Sequence, residues 1–329
     1  MTSEQSVRES GFDIVKIISC LFVVLIHIKT PLTDYYFPYI RCAVPVFFCI
    51  AGYFTYKANR FEMIYSLIKR IKYFFILIIL LSMFYILING LSFSFRDYLK
   101  LFIFNEPWYG EMLWFIPAYL YTLIITYLCL KFDILYDFIK KYRIVYILIP
   151  LLLLIDLLLG SYSRVFFDID FPNYYTRNFL FEGIPYFLGG FLLKNYEKKF
   201  KCMHRIVPLF VLMLGFVITF IEVTVLSTMN LMTDRFNFIG TIIMTFSFML
   251  IAKNMQITKR CLVDMTRLAA SKYILPIYLF HPFSMLLLNK SFVSYTMGYN
   301  YMLPLYSILL VVLLVSIFEF ITKRSFRNG

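Results

Sequence analysis

The chain has 329 residues, 61% of them hydrophobic, with a mean hydropathy of +0.77 and a formal net charge of +13. A soluble domain does not bury that much apolar surface, and apolar runs of about 20 residues recur from end to end, which leaves no room for a soluble catalytic domain. The positive charge does not indicate nucleic-acid binding, because Lys and Arg cluster in short segments between alternate pairs of runs, the pattern that orients a membrane protein.

The fold expected is all-α: one integral-membrane domain over 1–329, a polytopic transmembrane bundle of about ten spans. The spans fall near 12–30, 36–56, 73–93, 111–130, 144–160, 178–193, 206–226, 236–252, 272–290 and 301–322. Basic residues concentrate at Arg8 and within 57–72, 131–143, 194–205, 253–272 and 323–327. The intervening loops pair Arg96 with Asp97, Arg164 with Asp168 and Asp170, and Arg235 with Asp234. That alternation predicts cytoplasmic termini, a multi-pass protein of the plasma membrane of bacterial type, and attraction of the basic face to anionic lipid. The first run follows the polar MTSEQSVRES without a small-residue cleavage site and is expected to be retained. The six cysteines contain no CxxC, and neither a disulfide framework nor a metal site is expected.

Within the first run, GFDIVKIISCLFVVLIHIKTP, Lys16 and His27 stand eleven residues apart. Eleven helical steps return to within roughly 20° of the starting face and advance about 16 Å. Asp13 lies three residues before Lys16, within pairing distance on that face. A membrane-embedded charge and imidazole mark function. A neutral His27 can serve as a general base toward a hydroxyl, or can be satisfied by a helix–helix hydrogen bond. Lys16 can order the inner end of the site or snorkel to the interface.

Further along, Arg41 and Arg177 fall at the outer edges of spans, where each can neutralise an anionic group or anchor in the headgroups. The sixth span is short, and its Gly183, Pro185, Gly189 and Gly190 predict a broken or tightly packed helix. Intramembrane acids form a group of Asp156, Glu182, Glu222 and Glu319, of which Glu222 is the candidate to orient an imidazole or hold an amine. His281, in KYILPIYLFHPF, has a pore role or a packing hydrogen bond beside Pro282. Two outer segments, SFSFRDYLKLFIFNEPWYG and SYSRVFFDIDFPNYYTRN, are rich in aromatics suited to an interfacial belt or to stacking on sugar rings.

Four segments in register resemble the integral-membrane acyltransferase family 3, the polysaccharide and peptidoglycan O-acetyltransferases. FDIVKIISCLFVVLIH matches that family's first span of a basic residue, ten positions and a His. VPVFFCIAGYF, LWFIPAYL and IYLFHPF match later spans, and the likeness covers essentially the whole chain. The family most often has Arg at the position of Lys16, and lysine keeps the charge without the bidentate fork. TRNFLFEGIPYFLGGFLLK is also similar to the membrane half of the vancomycin-resistance serine racemases. The soluble pyridoxal-phosphate domain of those proteins has no counterpart before Gly329, so racemisation is not expected. The resemblance implies transfer of an acetyl group from cytoplasmic acetyl-CoA to a hydroxyl of a cell-surface or lipid-linked glycan, with no permanently bound cofactor. It implies His27 as base or acyl relay, Asp13, Lys16 and Glu222 in support, and Lys69 and Arg70 on a cytoplasmic loop near the donor. Arg41, Arg177 and His281 would then shape the acceptor mouth and pore. The competing expectations are a transporter of a small amino acid or acyl group that forms no bond, and a non-catalytic scaffold for glycan assembly.

Overall fold

The computed structural model describes residues 3–28, 30–90, 94–107, 111–132, 144–197, 203–232, 237–255, 257, 259–289 and 297–325. Lys140, Lys141, Arg143, Lys198, Lys199, Lys201, Asp234, Arg235 and Arg327 of the charge pattern, and Trp108 of the first aromatic segment, lie outside them. The described residues form helices joined by turns and loops, without a strand. In chain order the longer helices are α1 (Ser3–His27), α2 (Thr33–Ile40), α3 (Ala43–Thr55), α4 (Arg60–Asn89), α5 (Phe115–Lys131) and α6 (Val145–Leu159). There follow α7 (Ile184–Asn195), α8 (Ile206–Thr228), α9 (Ile239–Asn254), α10 (Arg260–Lys272), α11 (Ile274–Asn289) and α12 (Met297–Ser325).

Five stretches are long and apolar enough to cross a membrane: Ser10–His27, Thr33–Thr55, Arg60–Ile88, Ile206–Thr228 and Tyr301–Thr322. Phe115–Lys131, Val145–Leu159, Ile239–Asn254 and Ile274–Leu288 are shorter apolar helices. Helix α3 is buried along most of its length, whereas α4, α8 and α12 turn Leu, Ile and Phe side chains outward, as lipid-facing helices do.

Three local sequences account for departures from the expected spans. Pro45 has no N–H, and its ring would clash with the carbonyl of residue 41 in a continuous helix. The second run therefore breaks between α2 and α3, which places Arg41 at the corner. The third expected span, α4, begins at Arg60 rather than near residue 73, so Lys69, Arg70 and Lys72 lie on a helix and not in a loop. No Gly or Pro interrupts 60–89, the Asn59 side chain caps Phe61 N at 2.9 Å, and left-handed Gly90 ends the helix at φ 61°. Residues 260–272, expected as cytoplasmic loop, form the amphipathic helix α10, whose Leu262, Met265 and Leu268 are exposed.

The short sixth run is both broken and tightly packed. A π-helical turn, Phe179–Gly183, precedes α7, and Pro185 sits in the first turn of that helix, where its missing N–H costs nothing. A Cβ on Gly190 would lie 1.8 Å from the Cys49 carbonyl oxygen, and one on Gly52 1.9 Å from that of Phe187. Helices α3 and α7 thus cross backbone to backbone, the contact that small residues allow in membranes. Cys20, Cys42, Cys49, Cys129 and Cys261 are free thiols.

Candidate active site

His27 is the last residue of α1. Its ring stacks on that of His281 with centroids 5.2 Å apart and planes at 26°. The local sequence dictates how His281 is held. Pro282 supplies no N–H, so the Tyr278 carbonyl four residues back lacks its helical donor. His281 Nδ1 takes that place at 2.7 Å. A carbonyl only accepts, so Nδ1 carries the proton and Nε2 presents its lone pair. Nε2 is buried and has no hydrogen-bond partner among the described residues. Helix α11 is pinned by two phenols: Tyr85 Oη donates to Leu279 O at 2.7 Å, and Tyr278 Oη to Met112 O at 3.1 Å.

On its open side His27 lines a polar cavity that communicates with the surface. Arg41 arrives from the α2–α3 corner and Arg177 from the loop before the π-helical turn; the Arg41 guanidinium lies 4.9 Å from the centre of the Phe37 ring. Asp156 comes from α6 and Glu182 from the π-helical turn. Asn178 holds that turn, its Oδ1 accepting from Leu180 N at 2.9 Å and Phe181 N at 3.1 Å. Asn237, just ahead of α9, joins the two acids: its Nδ2 donates to Asp156 Oδ2 at 2.9 Å and to Glu182 Oε1 at 3.1 Å. Its own carbonyl accepts from Ser161 Oγ at 2.8 Å. Trp114 and Val44 complete the wall with apolar surface. The cavity therefore sets one imidazole among two guanidinium groups, two carboxylates and an amide. Such a site can orient a polyhydroxylated ligand, take a proton from it, and offset negative charge that develops on an oxygen.

The remaining expected residues fall into two places. Lys16 Nζ meets Asp13 Oδ1 at 2.9 Å and lies 5.4 Å from the centre of the Phe54 ring, at the far end of α3 from Arg41. Arg70 reaches the same end, donating to Thr55 Oγ1 at 2.8 Å and Ser66 Oγ at 2.9 Å. Lys69 is exposed with its Nζ 4.9 Å from the centre of the Tyr65 ring. Close by, Glu197 receives Lys194 Nζ at 2.8 Å and Tyr53 Oη at 3.2 Å. The basic groups at this end stand about three helical turns from His27. Glu222 is in neither place. Its carboxylate accepts from Ile239 N and Gly240 N, each at 2.9 Å, and from the Tyr162 hydroxyl, so it caps α9. Glu319 pairs with Lys272 rather than facing the cavity.

Asp156 and Glu182 were legible only as buried acids, and nothing in the sequence ties them to His27. Asn237 carries no signal at all, being one amide in a short loop. Trp114 is visible in the sequence only as part of the LWFIPAYL motif.

No curated protein and no solved structure matches the chain. The family model of the acyltransferase domain (acyltransferase family 3) matches residues 9–320. That span is nearly the whole chain and includes every residue of the cavity, and the protein belongs to that family of membrane acyltransferases.

Proposed function

We propose that the protein is an O-acetyltransferase that moves an acetyl group from cytoplasmic acetyl-CoA to a hydroxyl of a cell-surface or lipid-linked glycan. The observation that carries this reading is His27 at the wall of an open cavity that also presents Arg41, Arg177, Asp156, Glu182 and Asn237. In the reaction His27 takes the proton of the acceptor hydroxyl as its oxygen bonds to the thioester carbonyl carbon. The guanidinium groups of Arg41 and Arg177 offset the charge on the carbonyl oxygen. The carbon–sulfur bond then breaks, and the coenzyme thiolate leaves with the proton that His27 returns. His281 fixes the His27 ring by stacking on it. The five long apolar stretches, the four shorter ones and α7 support a ten-span topology with both termini in the cytoplasm and the cavity on the outer side of the plasma membrane. Lys16, Lys69 and Arg70 would then face the donor. The broken and glycine-packed segments around α3 and α7 would provide the passage between the two sides. Family membership favours bond formation over transport of an amino acid or acyl group.

The test is proton NMR of the purified surface glycan from cells with the wild-type gene, no gene, or His27→Ala, with membrane levels checked by immunoblot. Acetyl signals are expected with the wild type alone. Retained acetylation in His27→Ala removes His27 from the chemistry, and identical glycans in all three cells overturn the transferase reading in favour of transport.

A further inference from the structure

Helix α10 differs from the spans around it. Those are apolar on average, whereas α10 is polar on average with its apolar residues gathered to one side. At about 100° per residue, Leu262, Met265, Leu268 and Ala269 share an arc of roughly 120°, and the first three are exposed. A second side holds the buried Val263, and the helix packs on α1 and α11. The third side carries Arg260, Asp264, Arg267 and Ser271 within roughly 60°. Three such sides suit a helix placed where protein, hydrocarbon and water meet.

The depth of α10 follows from its neighbours. Tyr273 alone separates it from α11. Cys20 Sγ donates to Ile274 O at 3.8 Å, and seven residues further along both helices His27 stacks on His281. Helices α1 and α11 therefore run parallel, and the α10–α11 corner stands level with Cys20, well inside the apolar stretch Ser10–His27. Exposed apolar side chains near that depth meet acyl chains and not water. The corner is also tied to α12, because Lys272 pairs with Glu319 and the Tyr273 and Ser316 hydroxyls hydrogen-bond at 3.2 Å. Lys272 falls on the apolar arc, and the pairing spares hydrocarbon a bare ammonium.

From the corner α10 runs back about 20 Å, far enough to carry Lys259 and Arg260 to the headgroup layer. Both are exposed. Lys259 is the N-cap and gives the first-turn N–H groups no side-chain acceptor, and that turn holds no acid. Lipid phosphate oxygens supply the acceptor and the countercharge together.

We propose that α10 is a docking surface for anionic phospholipid: acyl chains cover Leu262, Met265 and Leu268, and headgroup phosphates meet Lys259 and Arg260. The surface is independent of the group that the enzyme transfers and of its acceptor.

The experiment uses the full chain in nanodiscs of phosphatidylcholine and phosphatidylglycerol in equal parts, with bromine on the acyl chains of one lipid or the other. Met265→Trp supplies a fluorescent reporter on the apolar side, Leu268→Trp a second, and the wild type the background of its own two tryptophans. Both reporters are expected to be quenched by brominated chains and shielded from aqueous acrylamide. Quenching is expected to show phosphatidylglycerol enriched about fivefold over phosphatidylcholine, the preference that roughly one basic residue gives at an anionic surface. Lys259→Gln with Arg260→Gln should bring that ratio to about one and leave the shielding unchanged. Equal quenching by the two lipids with Lys259 and Arg260 in place, or a preference that survives their loss, overturns the anionic docking. Reporters open to acrylamide and untouched by bromine overturn the lipid cover itself.

Discussion

Asn237 gives the sharpest test of how the cavity is held together. Its side-chain amide donates to two carboxylates at once, at 2.9 and 3.1 Å. Hydrogen bonds to charged groups contribute roughly 1.5–3 kcal/mol each, so Asn237→Ala is expected to cost about 3 kcal/mol, the low end applying because the open cavity lets water replace part of the loss. Asn237→Asp keeps the size and shape but turns the donor into a third acceptor. Two like charges 3 Å apart repel by about 5 kcal/mol at an effective dielectric constant of 20, in addition to the lost hydrogen bonds. The bridging role therefore predicts that the isosteric aspartate is worse than the truncation, whereas a space-filling role predicts the opposite order. Thermal unfolding of the three proteins in one detergent measures it. An Asn237→Asp protein that melts at or above the temperature of Asn237→Ala refutes the bridge.

Other consequences are as direct. Gly190→Val should prevent α3 and α7 from docking, because its Cβ alone would sit 1.8 Å from the Cys49 carbonyl oxygen, a backbone atom that cannot swing aside; folded yield by size-exclusion chromatography measures it. Glu222→Leu should lower stability by about 1–2 kcal/mol through loss of the α9 cap, while the folded fraction keeps its turnover; a selective fall in kcat with unchanged melting would return Glu222 to the mechanism. Neutralising Lys69 to Gln should raise the KM for acetyl-CoA with little change in the acceptor KM if the cations near the Thr55 end of α3 hold the donor as proposed; an unchanged donor KM counts against that end as the donor site.

The parts of this molecule that were legible before the fold was known are those written in short-range chemistry. The Lys16–Asp13 pair follows from a three-residue spacing on one helix and forms at 2.9 Å. The glycines of the sixth run announce close packing, and Gly190 delivers it against α3. His27, Arg41 and Arg177 are each polar in apolar company, but their convergence on one cavity depends on three separate segments and could not be counted along the chain. The helix start at Arg60 was hidden because five basic residues between 57 and 72 imitate a loop, while the helix solves the same problem by letting long side chains reach out from its surface. Glu222 shows the limit most plainly. A carboxylate deep in an apolar run demands a partner, and sequence alone offers imidazoles and amines. The partner the fold supplies is the bare N-terminus of α9 together with the Tyr162 hydroxyl, and backbone N–H groups leave no mark in the identity of the residues that carry them. The acid pair of the cavity meets the same limit: Asp156 and Glu182 lie 26 positions apart and on different elements, and only the tertiary position of Asn237 makes them one unit beside His27.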